Sequence, residues 1–478
     1  MSNKQDIIDF LDQNQGKFID VSDKIWDNPE IRFELKESAD TLIEVLSSEG
    51  FSVERNVAEM KDAFIATYGS EGPVIGFLAE YDALSNLSQV ADELTKKPIK
   101  EGAYGHACGH NALGAGSLAA AVAIKEYMNK NNMKATIKFF GCPAEESGSG
   151  KAFMAREGVF KGVDSLITWH PWTENKIWGT SSLANFQVYF NFKGVSAHAA
   201  SAPHLGRSAL DAAELMNIGV NYLREHIIDE ARVHYAYLDV GGQSPNVVQP
   251  TSSLLYFIRA PKSQQVKEIY DRIVKIAQGA ALMTETELEI KWDSACSEYI
   301  INDVLGKVMY ENMELVGEID YTDEEVNYAK KYVDTLDSVS ILNHEKTMKN
   351  YFNGLPAQEL ESVIKAPLIK KLVPYSMIDK ALPGSTDVGD ASFNAPTVQL
   401  TAACYPAGTA PHSWQWVATG KSSILHKGLI YAAKVMAMTA LDLLESPETI
   451  NKAKEEFDER LGGQSYQNYI PLDVKPVQ

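Results

Sequence analysis

Val74-Ile75-Gly76-Phe77-Leu78-Ala79-Glu80-Tyr81-Asp82-Ala83-Leu84 decides the fold. Its first six residues carry no polar side chain, so neither face of such a strand meets water. A strand of that kind belongs to a sheet covered by helices on both sides. It runs out into carboxylates, Glu80 and Asp82. Upstream, residues 64–69 (FIATYG) read as a second strand. Before it lie two helical stretches, 4–27 and 34–49, the first stopped by Asn28-Pro29 and the second by Gly50. Downstream, a polar loop containing Lys96-Lys97-Pro98 leads to GHACGHN (105–111) and a small-residue run suited to a closely packed helix. Strands follow at 135–146 (ATIKFFGCPAEE), ending in carboxylates, and at 165–171 (SLITWHP), ending in a histidine. Alternating strands and helices predict an α/β catalytic unit, a central mixed sheet flanked by helices, with chemistry collected where strands end.

The chain has 478 residues, more than one core usually serves, so two domains are expected. The character changes near 183. Strand (184–193), helix (208–230), strands (233–241 and 252–259), helix (262–282) and strand (286–293) give β-α-β-β-α-β, a ferredoxin-like α+β unit. The expected division is a catalytic domain of residues 1–182 and 297–478 around an inserted lid of residues 183–296. A charged stretch at about 317–372 has no strand signal and reads as an extra helical excursion.

Hydrophobic residues make up 45% and charged residues 23%, ordinary for a globular protein. The net charge of −20 opposes nucleic acid and anionic membranes as partners. The N-terminus lacks a basic start followed by an apolar run, and no stretch approaches a membrane span; both point to a cytoplasmic protein. Four scattered cysteines are too few for a disulfide scaffold and suit a reducing compartment.

One of them lies in His106-Ala107-Cys108-Gly109-His110, three soft or borderline metal donors within five residues. Thiolate and imidazole suit zinc, manganese or cobalt. Gly105 and Gly109 allow the tight backbone that aims side chains two apart at one ion. Glu145 and Glu146 close the strand that begins at 135. Adjacent carboxylates diverge in an extended chain, so one can bind a metal while its neighbour faces an attacking water, as metal-assisted hydrolysis requires. His170 in TWHPW and His412 in GTAPHS each end an apolar strand and complete the set.

GHACGHN, CPAEES, TWHPW, GVSAHAA, PNVVQP and GTAPHS, in this order, resemble the dinuclear metallopeptidase superfamily of aminoacylases and carboxypeptidases. The cysteine-bearing loop resembles its amidohydrolase branch of hippurate and indole-acetyl-amino-acid hydrolases. Length, the HACGHN form and GRSALDAAEL (206–215) are most similar to the aminobenzoyl-glutamate utilisation group. The resemblance implies two divalent ions per subunit, Mn2+ or Zn2+, held by Cys108, His110, Glu146, His170 and His412. It makes Glu145 the general base. It also implies a homodimer through the lid, with a second related subunit as a further partner, in which His198 acts across the interface and Asn246 positions substrate. The implied reaction is hydrolysis of an N-acyl amino acid, p-aminobenzoyl-glutamate or a related aryl or acyl amino acid. A dipeptidase or N-deacetylase on the same scaffold, or a catalytically silent metal-binding subunit, are the alternatives.

The sequence departs from that pattern in places. Asn111 stands where the family usually has aspartate. LAEYDAL replaces Arg-Ala-Asp-Met-Asp-Ala, leaving Asp82 either as an orienter of a ligand histidine or as a plain strand-end carboxylate. Gly384-Ser385-Thr386-Asp387 replaces Gly-Ser-Glu-Asp. Arg207 replaces a polar residue and either binds a substrate carboxylate or is a surface arginine at a helix start.

Overall fold

The computed structural model describes residues 2–378 and 380–476. Among the described residues eleven strands form two sheets: β1 (Ser52–Arg55), β2 (Phe64–Tyr68), β3 (Val74–Glu80), β4 (Thr136–Cys142), β5 (Ser165–Trp172), β6 (Lys176–Ile177), β7 (Ala184–Lys193), β8 (Arg232–Asp239), β9 (Thr251–Ala260), β10 (Glu287–Cys296) and β11 (Thr397–Ala403). The larger sheet has the order β1-β2-β4-β3-β5-β11-β6. Its middle four strands are parallel, with β3 between β4 and β5, and β11 beside β5; the outer pairings are antiparallel. This is the mixed sheet that residues 74–84 predict. Every residue of β3 after Val74 is buried, in keeping with a strand covered on both faces.

The helix His110–Asn131 covers one face of that sheet. Almost all of it is buried, and its small residues let neighbouring elements approach closely. The long helix Ser423–Glu445 packs beside it. By length and composition this helix passes the test for a membrane span, contrary to the sequence reading, but 83% of its apolar window is buried inside the protein. It is a core helix.

The smaller sheet, β10-β7-β9-β8, is antiparallel, with the helices Ala209–Leu223 and Ser263–Thr284 giving the β-α-β-β-α-β order. Alternate residues of β9 are buried, the period of a sheet with one face on a core. The charged stretch folds as three helices, Asp323–Val333, Ser338–Tyr351 and Ala357–Lys365. They build a small core of their own from Met348, Phe352, Ile369 and Val373, joined by Ala407 of the catalytic unit.

Candidate metal centre

The four parallel strands end side by side, and each releases functional side chains at its C-terminal end. β3 ends in Glu80, with Asp82 just beyond. β5 carries His170 near its end, and β11 runs out toward His412. The strand leading to the glutamate pair stops at Cys142 rather than at Glu146. Ala144 leaves the extended region with φ 61°, and Glu145 and Glu146 follow in a turn. The carboxylates therefore diverge through a turn and not through strand pleating. His412 also has positive φ, 60°. Positive φ is costly for residues with a side chain and gathers where geometry is functionally constrained. The His412 backbone N–H donates to the carbonyl of Ala107 at 2.8 Å, tying the last candidate ligand to the first loop.

That loop depends on two glycines for different reasons. Gly109 has φ 76° and caps the helix that starts at His110. Gly105 instead permits close approach, since a Cβ there would lie 2.2 Å from the carbonyl oxygen of Leu87.

Cys108 Sγ lies 3.5 Å from His170 Nε2. Cys108, His110 and His170 form one group of donor atoms all within 4.8 Å of one another, and Cys108, Glu146 and His412 form a second. The thiol belongs to both. His412 Nε2 lies 3.3 Å from Glu146 Oε1, and His110 Nε2 lies 4.0 Å from the same oxygen. Both His110 Nε2 and Glu146 Oε1 are buried without a hydrogen-bond partner among the described residues. Buried polar atoms are rarely left so. Soft sulfur, imidazole and carboxylate donors, with two loose ends aimed at one another, fit a pair of divalent cations.

Asp82 organises these donors. One carboxylate oxygen takes His110 Nδ1 at 2.9 Å, which turns Nε2 toward the shared sulfur, and the other accepts the Glu146 backbone N–H at 2.9 Å. Glu80 Oε2 lies 3.2 Å from His110 Nε2, and Glu80, His110 and Glu145 form a third donor group. Behind them Lys151, with no exposed side-chain surface, donates to Glu80 and to Asp387 at 2.6 Å each.

The electrostatics follow from burial and neighbours. Burial pushes Glu80 up, but the Lys151 ammonium together with His110 and His170 outweighs it, and the carboxyl is held below its usual range. Glu145 retains some exposed surface, yet its carboxyl lies deep. Burial pushes it well above the usual range, and Glu80 and Glu146 add to the shift. Burial opposes ionisation of Glu146 as well, but the His412 imidazole beside it and the nearby His110 bring it to about 2. His170 is lowered to about 4 by burial and by His110, so its ring is neutral and fit to donate a lone pair.

His106, one of the three donors in the loop, turns away: its Nε2 meets the carbonyl of Ile25 at 3.1 Å. Asn111 is also structural, donating to Ser22 Oγ at 3.0 Å and to the Gly420 carbonyl at 3.1 Å. His198 and Asn246 are exposed on the lid, in segments bridged by the pairing of His198 with Val247. The guanidinium of Arg207 is held by Glu285 at 2.9 Å and by the carbonyls of His204 and Gly206.

Sequence reasoning misses two cations. Lys151 stands in Gly150-Lys151-Ala152-Phe153-Met154, and a single charge in a glycine-led apolar helix start is the available signal. Arg259 lies on β9, sharing a face with Ser253, Leu255 and Phe257. It donates to Ser385 Oγ at 3.3 Å and packs 4.0 Å from the Phe257 ring, while its buried Nε has no partner.

A mixed sheet with candidate donors at its parallel strand ends and two donor groups sharing a thiol defines a metallohydrolase of the divalent-metal class. Residues 76–387 match the model of peptidase family M20/M25/M40. The chain belongs to that family. It is 44% identical over 474 residues to one of the subunits of p-aminobenzoyl-glutamate hydrolase from Escherichia coli, covering 98% of each chain. It is 25% identical over 405 residues to human Xaa-Arg dipeptidase, covering 83% of this chain and 75% of that one. A crystal structure of a Bacillus subtilis dinuclear metal binding peptidase from the M20 family shares the fold, with a TM-score of 0.56 at 16% identity over 91% of this chain and 99% of that one.

Proposed function

We propose that this chain hydrolyses the amide bond of N-acyl amino acids, p-aminobenzoyl-glutamate or a related aryl or acyl amino acid being the substrate. The observation that carries the reading is Glu145, a carboxylate outside both thiol-sharing donor groups yet packed against them. Cys108, His110, Glu146, His170 and His412 would hold two divalent ions, Mn2+ or Zn2+. Such ions lower the pKa of water and polarise a carbonyl oxygen.

Glu145 takes the proton of the attacking water. Its raised affinity for protons suits a base that must afterwards give the proton up, here to the leaving nitrogen. Asp82 keeps His110 in the tautomer that presents Nε2. The partner subunit's His198, with Asn246, meets the negative charge that develops on the scissile carbonyl oxygen. Arg259 takes the carboxylate of the amino-acid product, because its guanidinium has no acidic partner among the described residues. Arg207, bound to Glu285, braces the lid unless that pair opens.

The lid, taken as residues 183–296 between catalytic segments 1–182 and 297–478, is also the proposed dimerisation unit. Its edge strand β8 exposes Tyr235, Tyr237 and Leu238. Edge strands of this kind invite pairing. A second related subunit is part of the proposal, since the 44% identical relative is itself named as a subunit. Four free, buried cysteines accord with a cytoplasmic setting.

The test is a panel of p-aminobenzoyl-glutamate, hippurate, N-acetyl amino acids and dipeptides with Mn2+- or Zn2+-loaded protein. Cleavage of the aryl amides, abolished by chelation and restored by metal, is expected. Cleavage of dipeptides alone would establish the dipeptidase reading instead.

A further inference from the structure

The end of β5 turns aromatic beside the candidate metal ligands. The His170 imidazole lies 5.7 Å from the Trp172 ring and 6.5 Å from the Trp178 ring, and the two indoles lie 6.4 Å apart at 74°. Trp172 meets both other rings edge to face, His170 and Trp178 are tilted against one another at 53°, and the three form a corner. Both indoles keep part of their surface exposed, whereas Trp169 and Trp416 are fully buried.

The corner is rigid. Trp172 rests edge-on against Trp416, 5.5 Å away at 86°, and Trp416 stacks on Tyr405 at 3.9 Å. Trp416 is fixed by a 3.0 Å hydrogen bond from its Nε1 to Thr409 Oγ1. The excursion helices back this layer. Leu336 and His344 pack so closely on Gly408 that a Cβ there would lie 3.0 and 3.2 Å from them. Gln415 donates to Thr335 Oγ1 at 3.4 Å.

Neither indole is needed to hold an ion or move a proton. Partly exposed tryptophans held rigid beside a metal ligand offer a preformed surface to another flat ring, through area burial and edge-to-face contact. The lid supplies the polar contacts for the amino-acid carboxylate through Arg259, so the His170 side is left for the acyl group.

We propose that Trp172 and Trp178 form the acyl subsite and select an aromatic over an aliphatic acyl group. The excursion at about 317–372 serves this subsite by buttressing its wall. The inference rests on the hydrolase reading and adds the residues that set its substrate preference.

Two measurements test it on the full-length, metal-loaded protein. The first compares kcat/KM for N-benzoyl-glutamate and N-butanoyl-glutamate in Trp172→Ala, Trp178→Ala and Trp172→Phe. Loss of a buried ring contact costs about tenfold or more. The benzoyl-to-butanoyl ratio should therefore fall about tenfold in each alanine variant and largely recover in Trp172→Phe, with metal content unchanged. An equal loss on both substrates overturns the proposal. The second is calorimetric binding of benzoate against butanoate, which needs no turnover. Preference for benzoate that vanishes in the alanine variants supports the subsite. Equal affinity in the wild type overturns it, whether or not the enzyme turns over. Benzoate preference without hydrolysis of any amide would overturn the hydrolase reading and leave the subsite standing.

Discussion

Asp82 accepts the backbone N–H of Glu146 at 2.9 Å while its other oxygen engages His110 Nδ1. One carboxylate just past the end of β3 thus sets a histidine at a helix start and a glutamate in a turn. Replacing Asp82 by Asn keeps the shape but offers one acceptor where two are needed. Partners of this type contribute about 10–100-fold to metal affinity. Titration of the apo protein with Mn2+ and Zn2+ should show weakening in that range, and unchanged affinity would reduce Asp82 to a plain strand-end acid.

Cys108 belongs to both thiol-sharing donor groups. Cys108→Ala should therefore weaken both ions together, whereas His412→Ala should affect one more than the other. Metal-to-protein ratios after dialysis, measured by plasma mass spectrometry, distinguish the two patterns.

Glu145 lies within reach of Glu80 and His110 but outside the thiol-sharing groups. Glu145→Ala should lower kcat by about a hundredfold to ten-thousandfold, the worth of a positioned general base, with two ions still bound. Matching losses of metal and activity would make Glu145 a ligand.

Lys151 holds two buried carboxylates with one ammonium. Lys151→Met would leave Glu80 and Asp387 facing one another without a counter-charge. Breaking a buried pair in this way costs about 3–5 kcal/mol, so the denaturation midpoint should drop sharply. A midpoint within a degree of wild type would contradict this account of the cluster.

Asp390 is buried and accepts from the Ser297 N–H, the Ser297 hydroxyl and the Tyr466 hydroxyl. Burial still raises its pKa from 3.8 to about 7. The folded state then binds more protons than the unfolded state between those values, so this residue's contribution falls as pH rises through that window and is level above it. The melting temperature of Asp390→Asn, relative to wild type, should rise across the same window. A constant difference would mean that Asp390 is ionised throughout.

The sheet and the lid are legible in the sequence because both are written in periodicity: continuous apolar runs for β3 and β5, alternation for β9. The candidate ligands are legible because thiol, imidazole and adjacent acids in short motifs have few other uses. His106 shows the limit, since spacing marks it as a donor like His110, and only the loop's turn sends it to the Ile25 carbonyl. The glutamate turn reads as strand in the sequence because nothing in Pro143-Ala144 announces positive φ at an alanine. Lys151 and Arg259 escape notice because their meaning lies in absent solvent and absent partners, which are properties of packing. The aromatic corner escapes for a related reason: Trp172 and Trp178 are six residues apart in sequence, and only the reversal between β5 and β6 makes them neighbours.

The candidate donors come from segments after β3, β4 and β11 and from the end of β5 itself, with the lid and the excursion lying in the chain between β5 and the last. During synthesis, a ribosome has released most of the protein before His412 emerges. The ions can be locked in only when both ends of the catalytic unit have met around the inserted segments. Metal capture by the proposed ligand set would thereby be deferred to the final stage of assembly.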